Sequence, residues 1–170
     1  VDWRLSDGGH VVWQQGDCPG CNVYFYDPAS GTTQLSDDPH VDTDIRVNGN
    51  GHAVWRSERP YGSGPGVESR IVHYDGITSE VVAVGGFSPD INNHDQIVWQ
   101  ALDGSDYDIF LFDGPTTLRL THDDAFDDTY PKISDTGAVA WLRDDGHDDE
   151  VMWATPEDPA THIPTTPQEW

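Results

Sequence analysis

The chain has 170 residues, enough for one substantial core and too few for two comfortable domains. A hydrophobic content of 35% with seven Trp excludes a disordered chain, and no apolar run is long enough for a transmembrane helix. Against 31 Asp plus Glu stand only 8 Lys plus Arg, a net charge of −23, and a field of that sign excludes nucleic-acid partners and disfavours anionic membranes.

In chain order, the first elements are a short segment ending at Leu5, a turn Ser6-Asp7-Gly8-Gly9 and a strand Val11-Val12-Trp13. A loop carrying Cys18-Pro19-Gly20-Cys21 follows, then a strand Val23–Asp27 and another at Thr33–Leu35. Acids Asp37, Asp38, Asp42 and Asp44 lead to Val47, where the order restarts. The turn is now Asn48-Gly49-Asn50-Gly51, the strand Ala53-Val54-Trp55, and after a Gly/Pro-rich loop (Pro60–Gly66) come Ile71–Asp75 and Glu80–Ala83. A third pass runs from Ile91 through Asn92-Asn93-His94-Asp95, Ile97-Val98-Trp99 and Ile109–Asp113 to Leu118–Leu120. After Asp123, Asp124, Asp127 and Asp128 the fourth runs from Ile133 through Ser134-Asp135-Thr136-Gly137, Val139-Ala140-Trp141 and Val151–Trp153 to a weaker Thr161–Ile163.

The aligned tryptophans are spaced 42, 44 and 42 apart (55 − 13, 99 − 55, 141 − 99), a period that identifies a repeat architecture. The turn before each is rich in Gly, Asn and Asp, the types that tolerate the positive φ of tight hairpins. Four antiparallel strands in about 42 residues make one β-propeller blade. The tryptophan strands are apolar at consecutive positions, as expected when both faces are covered, so the tryptophans are read as core. The expected architecture is all-β: one domain over residues 1–170, with four four-stranded blades near 1–38, 39–84, 85–124 and 125–165 and a tail over 161–170. It closes as four blades or forms part of a larger or oligomeric propeller.

The segments Gly86-Phe87-Ser88-Pro89-Asp90, Gln96–Trp99, Asp108–Asp113 and Leu118-Arg119-Leu120-Thr121, with the last copy from Pro131 to Gly137, resemble the TolB-like, or WD40-like PD40, propeller repeat. The first two copies match more loosely. The resemblance implies the propeller fold and little about function, because members of that family include translocation-associated proteins, peptidase propellers and lyases. Propellers of that family usually have six or seven blades, whereas this chain has four copies, each whole from first strand to last. An open array leaves an apolar blade face bare at each end, and such a face recruits a partner.

The candidate sites are acidic. Asp103-Gly104-Ser105-Asp106-Tyr107-Asp108 and Asp145-Gly146-His147-Asp148-Asp149-Glu150 align, with acids at the first, fourth and sixth places. Carboxylates clustered on a tight turn suit Ca²⁺, which takes six to eight oxygens, so Asp103, Asp106, Asp108, Asp145, Asp148 and Glu150 are candidate calcium ligands. Turn Asp residues capping backbone amides account for the same letters without a metal. Cys18 and Cys21 suit a redox motif, half a zinc site or a disulfide; a disulfide is favoured because no thioredoxin-like βαβ setting or second Cys pair is present. A disulfide favours an extracellular, cell-surface or periplasmic location. No basic-then-apolar leader opens the chain, so any secretory signal is expected outside it. His10 and His52 occupy one repeat position and read as an exposed strand start. No G-x-S-x-G elbow is present. The reading is a non-enzymatic extracellular propeller module acting in assembly or partner binding, as a homo-oligomer or with another protein. The alternatives are a polysaccharide lyase or hydrolase propeller and a glycan-binding lectin.

Overall fold

The computed structural model describes residues 1–17, 20–60, 67–122, 125–144, 146–156 and 164–169, with Pro60 and 164–169 as backbone alone. Sixteen strands form four four-stranded sheets. The first sheet holds β1 (Trp3–Leu5), β2 (Val11–Gln15), β3 (Asn22–Asp27) and β4 (Gly31–Gln34). The second holds β5 (Val41–Val47), β6 (Ala53–Pro60), β7 (Val67–Tyr74) and β8 (Ser79–Val84). The third holds β9 (Gly86–Ile91), β10 (Ile97–Asp103), β11 (Asp106–Phe112) and β12 (Thr117–Arg119); the fourth holds β13 (Asp127–Ile133), β14 (Val139–Asp144), β15 (Asp149–Pro156) and β16 (Pro164–Glu169). Each sheet is a meander in sequence order, the blade of a propeller. Leu5, Val47, Ile91 and Ile133, each eight residues before its tryptophan, all end the first strand of their blade. The last blade's fourth strand lies at Pro164–Glu169, beyond Thr161–Ile163, which fall outside the described residues together with the loop over 61–66.

The turn between first and second strands has one geometry in all four blades. The amides of Gly9, Gly51, Asp95 and Gly137 donate to the carbonyls of Ser6, Asn48, Asn92 and Ser134 at 3.0, 3.2, 3.2 and 2.9 Å. Those four donors have φ of 81, 84, 61 and 79°, the left-handed position that glycine fills without strain and Asp tolerates. Asn48 Oδ1 accepts from the amides of Asn50 and His52, and Asn92 Oδ1 from those of His94 and Gln96.

The chain forms two compact units, Val1–Phe87 and Ser88–Trp170. In the first, Val12 and Val23 of the first blade pack against Ile45, Ala53 and Trp55 of the second. In the other, Val98, Ile109 and Leu111 of the third blade pack against Val139, Trp141, Met152 and Ala154 of the fourth. The turns meet closely as well. A Cβ on Gly8 would lie 2.3 Å from the Gly49 carbonyl oxygen, so only glycine lets those two turns approach. Across the third and fourth blades, Asn93 donates through its amide and its side chain to the Asp135 carboxylate at 2.9 and 2.7 Å.

Candidate functional site

Strand alternation puts Val12, Val23 and Phe25 on one face of the first blade and Trp13 and Tyr24 on the other. Register extends that second face across the sheet: Trp3 lies opposite Trp13, Trp13 opposite Tyr24, Leu5 opposite Val11 and Val11 opposite Tyr26. The Trp13 and Tyr24 rings stack with centroids 5.7 Å apart, and the Trp13 indole donates to Gln15 Oε1 at 3.1 Å. Trp3 and Leu5 are 60% and 62% exposed, and Trp13 is half-buried. The remaining positions of the face are Asn, Gln and Thr, so in a chain of net charge −23 it carries no charged side chain. Trp55, Trp99 and Trp141 are buried at 2, 3 and 2%, as read from the sequence; Trp13 departs from them. The cause is orientation. Trp55 and Trp141 lie against the blade that precedes theirs, whereas Trp13 lies on the face of its blade turned away from the second blade.

The calcium candidates of the third blade flank the β10–β11 hairpin, with Asp103 opposite Asp106. Arg119 reaches both Asp103 and the fully buried Asp108, the latter at 2.5 Å, and Thr121 Oγ1 donates to Asp108 at 2.8 Å. Burial pushes the Asp108 carboxyl above its ordinary range, against the opposing pull of Thr121 and Arg119. Among the described residues, Asp103, Asp106 and Asp108 are not a group whose ligand atoms all lie within 4.8 Å of one another. The Arg119 guanidinium stands against Asp103 and Asp108, where a bound cation would compete with it. In the aligned loop Asp148 is exposed and Glu150 half-buried, while Asp145 lies outside the described residues. Cys21 is fully buried and held in a disulfide, and Gln14 Nε2 donates to its sulfur at 2.8 Å; Cys18 lies outside the described residues.

Two acids at the start of first strands, Asp42 in β5 and Asp128 in β13, both thirteen residues before their tryptophans, turn inward. Asp128 accepts from the Trp141 indole at 2.8 Å and from Arg143 Nε and Nη2 at 2.9 Å each. Asp42 is fully buried without an arginine; Ser36 donates to it, and burial raises its carboxyl above the ordinary value despite that bond and one from Ser57. Asp123 and Asp124 lie outside the described residues. Beside Asp42, a cleft of about 240 Å³ is lined by Asp38, His40, Trp55, Ser57 and Arg70 among others. Its Ser, His and Asp do not form a relay. Ser57 Oγ and Asp38 Oδ2 both approach the same ring nitrogen, His40 Nδ1, at 3.4 and 3.0 Å, whereas a triad places them on opposite nitrogens. His10 is mostly buried, contrary to the exposed strand start expected: it stacks on Phe25 at 5.8 Å and faces Asp27 at 3.5 Å.

The sequence reading expected an apolar face at each end of an open array but not the residues that form this one, Trp3, Leu5, Trp13, Tyr24 and Tyr26, because it took every repeat tryptophan as core. The available signal was the absence of charge at alternate positions of the first copy alone.

The propeller fold recurs in solved structures. The β-propeller domain of the trilobed protease from Pyrococcus furiosus, described as having an open velcro topology, aligns with a TM-score of 0.63 at 9% identity over 94% of this chain and 50% of its own. For the acylaminoacyl peptidase of Pyrococcus horikoshii the values are 0.58, 11%, 85% and 24%. For a puromycin-hydrolysing peptidase of Mycobacterium tuberculosis they are 0.57, 16%, 97% and 30%. The chain thus spans half or less of the length of each, and at these identities the likeness speaks of fold alone. No family model and no curated protein matches the chain. What the comparisons add to the sheets and their order is a β-propeller architecture shared with domains of peptidases.

Proposed function

We propose that this chain is a non-enzymatic propeller module, of TolB-like repeat type, that works through assembly or protein-partner binding outside the cytoplasm. The uncharged aromatic face of the first blade carries the reading. In so acidic a chain, a sheet face without a single charge is unsuited to lasting exposure and suited to burial against another protein surface. The disulfide at Cys21 supports the oxidising location.

The rival with a specific observation behind it is a hydrolase using the Ser57–His40–Asp38 cleft, and it sets the test. Peptidyl and ester substrates and a panel of polysaccharides are expected to turn over no faster with the wild-type chain than with Ser57→Ala or His40→Ala. Hydrolysis present in the wild type and lost in Ser57→Ala would overturn the module reading.

A further inference from the structure

The second and fourth blades treat one buried carboxylate in two ways. Asp42 and Asp128 hold the same repeat position, and both are buried, at 0 and 1% exposure. Each lies opposite the residue two past the tryptophan, Ser57 for Asp42 and Arg143 for Asp128. In the fourth blade the Arg143 fork closes on Asp128, Nε on Oδ1 and Nη2 on Oδ2 at 2.9 Å each. The Phe126 ring lies 5.7 Å from that guanidinium. In the second blade a short hydroxyl, Ser57, replaces the arginine, and His40 stands where Phe126 does. Asp42 Oδ1 has no donor in hydrogen-bond geometry. A buried carboxylate without its cation is costly, and burial raises the Asp42 carboxyl accordingly.

The cleft of about 240 Å³ opens at the same place. It is lined by Ser57 and by Ser36, whose hydroxyl donates to Asp42 Oδ2. Asp38, His40 and Trp55 line it too. Arg70 is a further lining residue, but its Nε donates to Glu68 at 2.6 Å. We propose that this cleft binds a guanidinium group brought by a ligand, either a small arginine-like molecule or the arginine side chain of a peptide. The group enters over Ser57 and meets Asp42 as Arg143 meets Asp128, with the rings of Trp55 and His40 beside it and Asp38 as a second carboxylate. A guanidinium is preferred to an ammonium because its planar fork serves both oxygens of one carboxylate. Such a site lies wholly within Val1–Phe87 and goes beyond the module reading, which rests on the aromatic face.

Calorimetric titration of the chain with N-acetyl-arginine amide, at about pH 8 and matched ionic strength, tests this. The wild type is expected to bind one equivalent saturably. N-acetyl-lysine amide, and the citrulline analogue of like shape without charge, are expected to bind roughly tenfold or more weakly. Asp42→Asn keeps the size of the side chain and is expected to stay folded while weakening binding by a similar factor. Ser57→Arg supplies the group from the chain itself, so it is expected to raise the melting midpoint and abolish binding. Free L-arginine binding more tightly than the capped probe assigns the site to a small molecule, and equal or weaker binding assigns it to a peptide side chain. No saturable binding of either arginine by the wild type overturns the proposal. So does a citrulline analogue that binds as well as arginine, and so does Asp42→Asn titrating like wild type. Any of these leaves the module reading standing, whereas hydrolysis lost in Ser57→Ala removes that reading and is measured without arginine.

Discussion

Trp55 and Trp141 sit inside clusters that join two blades, whereas Trp13 keeps part of its ring on solvent above Tyr24. Removing a large buried aromatic costs about 3–5 kcal/mol, so Trp55→Ala and Trp141→Ala are expected to lose that much in urea melts. Trp13→Ala leaves no enclosed cavity and is expected to lose about 1 kcal/mol, close to the centre of ordinary substitutions. Near-equal losses at all three would show that the first blade is covered as the others are. The acids divide by sign. The folded carboxyl of Asp42 titrates above its unfolded 3.8 through burial, so its contribution to stability is greatest at acid pH and falls as pH rises through the raised value. Asp27 and Asp75 lie below 3.8, chiefly because the amides of Ser30 and Thr78 donate to them, so their contribution is present at neutral pH and lost as pH falls through the lowered values. Asp42→Asn is therefore expected to raise the neutral-pH melting midpoint and to lose that gain in acid. Asp75→Ala is expected to lower the midpoint at neutral pH and to lose that effect in acid. Both variants moving the same way would refute the assignment. The Asp75 role was legible, because Asp followed by Gly after a strand is turn chemistry. The Asp42 and Asp128 difference was not, since it depends on whether the residue two past the tryptophan is Ser57 or Arg143.

At the scale of elements, a feature of the first strand repeats in three of the four blades. Asp44, Ser88 and Tyr130 each lie eleven residues before their tryptophan and have φ of 55, 51 and 53°. The pairing register slips there between Thr43 and Arg46 and between Thr129 and Lys132, the mark of a β-bulge. No common residue type announces it. The strand bends because the neighbouring blade holds it: Gln14 donates to the Asp42 carbonyl at 2.6 Å, and the Tyr130 amide donates to Gln100 Oε1 at 2.7 Å. That constraint is tertiary, which is why the blade count and the hairpin turns could be read from the letters and the bulge could not. Tyr130 is 62% exposed, so its ring contributes little while its backbone sits in the left-handed region. Tyr130→Asn is expected to stabilise by roughly 0.5–1 kcal/mol, and Tyr130→Val to destabilise by about 1–2 kcal/mol because a β-branched residue resists that conformation. Opposite signs in thermal melts would confirm the strain, and equal effects would refute it.

At the scale of the whole molecule, charge is the dominant quantity, and it makes a prediction separable from both calcium and assembly. Of the scarce cations, Arg4, Arg56, Arg59, Arg70, Arg119 and Arg143 all stand in ion pairs with carboxylates. The acids outnumber the cations by 23, and with that net charge the folded chain repels itself more than the expanded one. Mobile salt relieves that repulsion over a Debye length of about 10 Å at 0.1 M and about 3 Å at 1 M. The melting temperature is therefore expected to climb with NaCl over that range and then flatten. Association also strengthens with salt and stabilises whatever it buries, so the measurement belongs to Leu5→Glu, expected to remain a single chain. In that variant, CaCl₂ at matched ionic strength should do no more than NaCl, and a chelator should do nothing, because Arg119 already pairs with both Asp103 and Asp108. A midpoint indifferent to NaCl but raised by micromolar calcium would refute the screening account and return the calcium reading to the acids at Asp103, Asp106, Asp108, Asp145, Asp148 and Glu150.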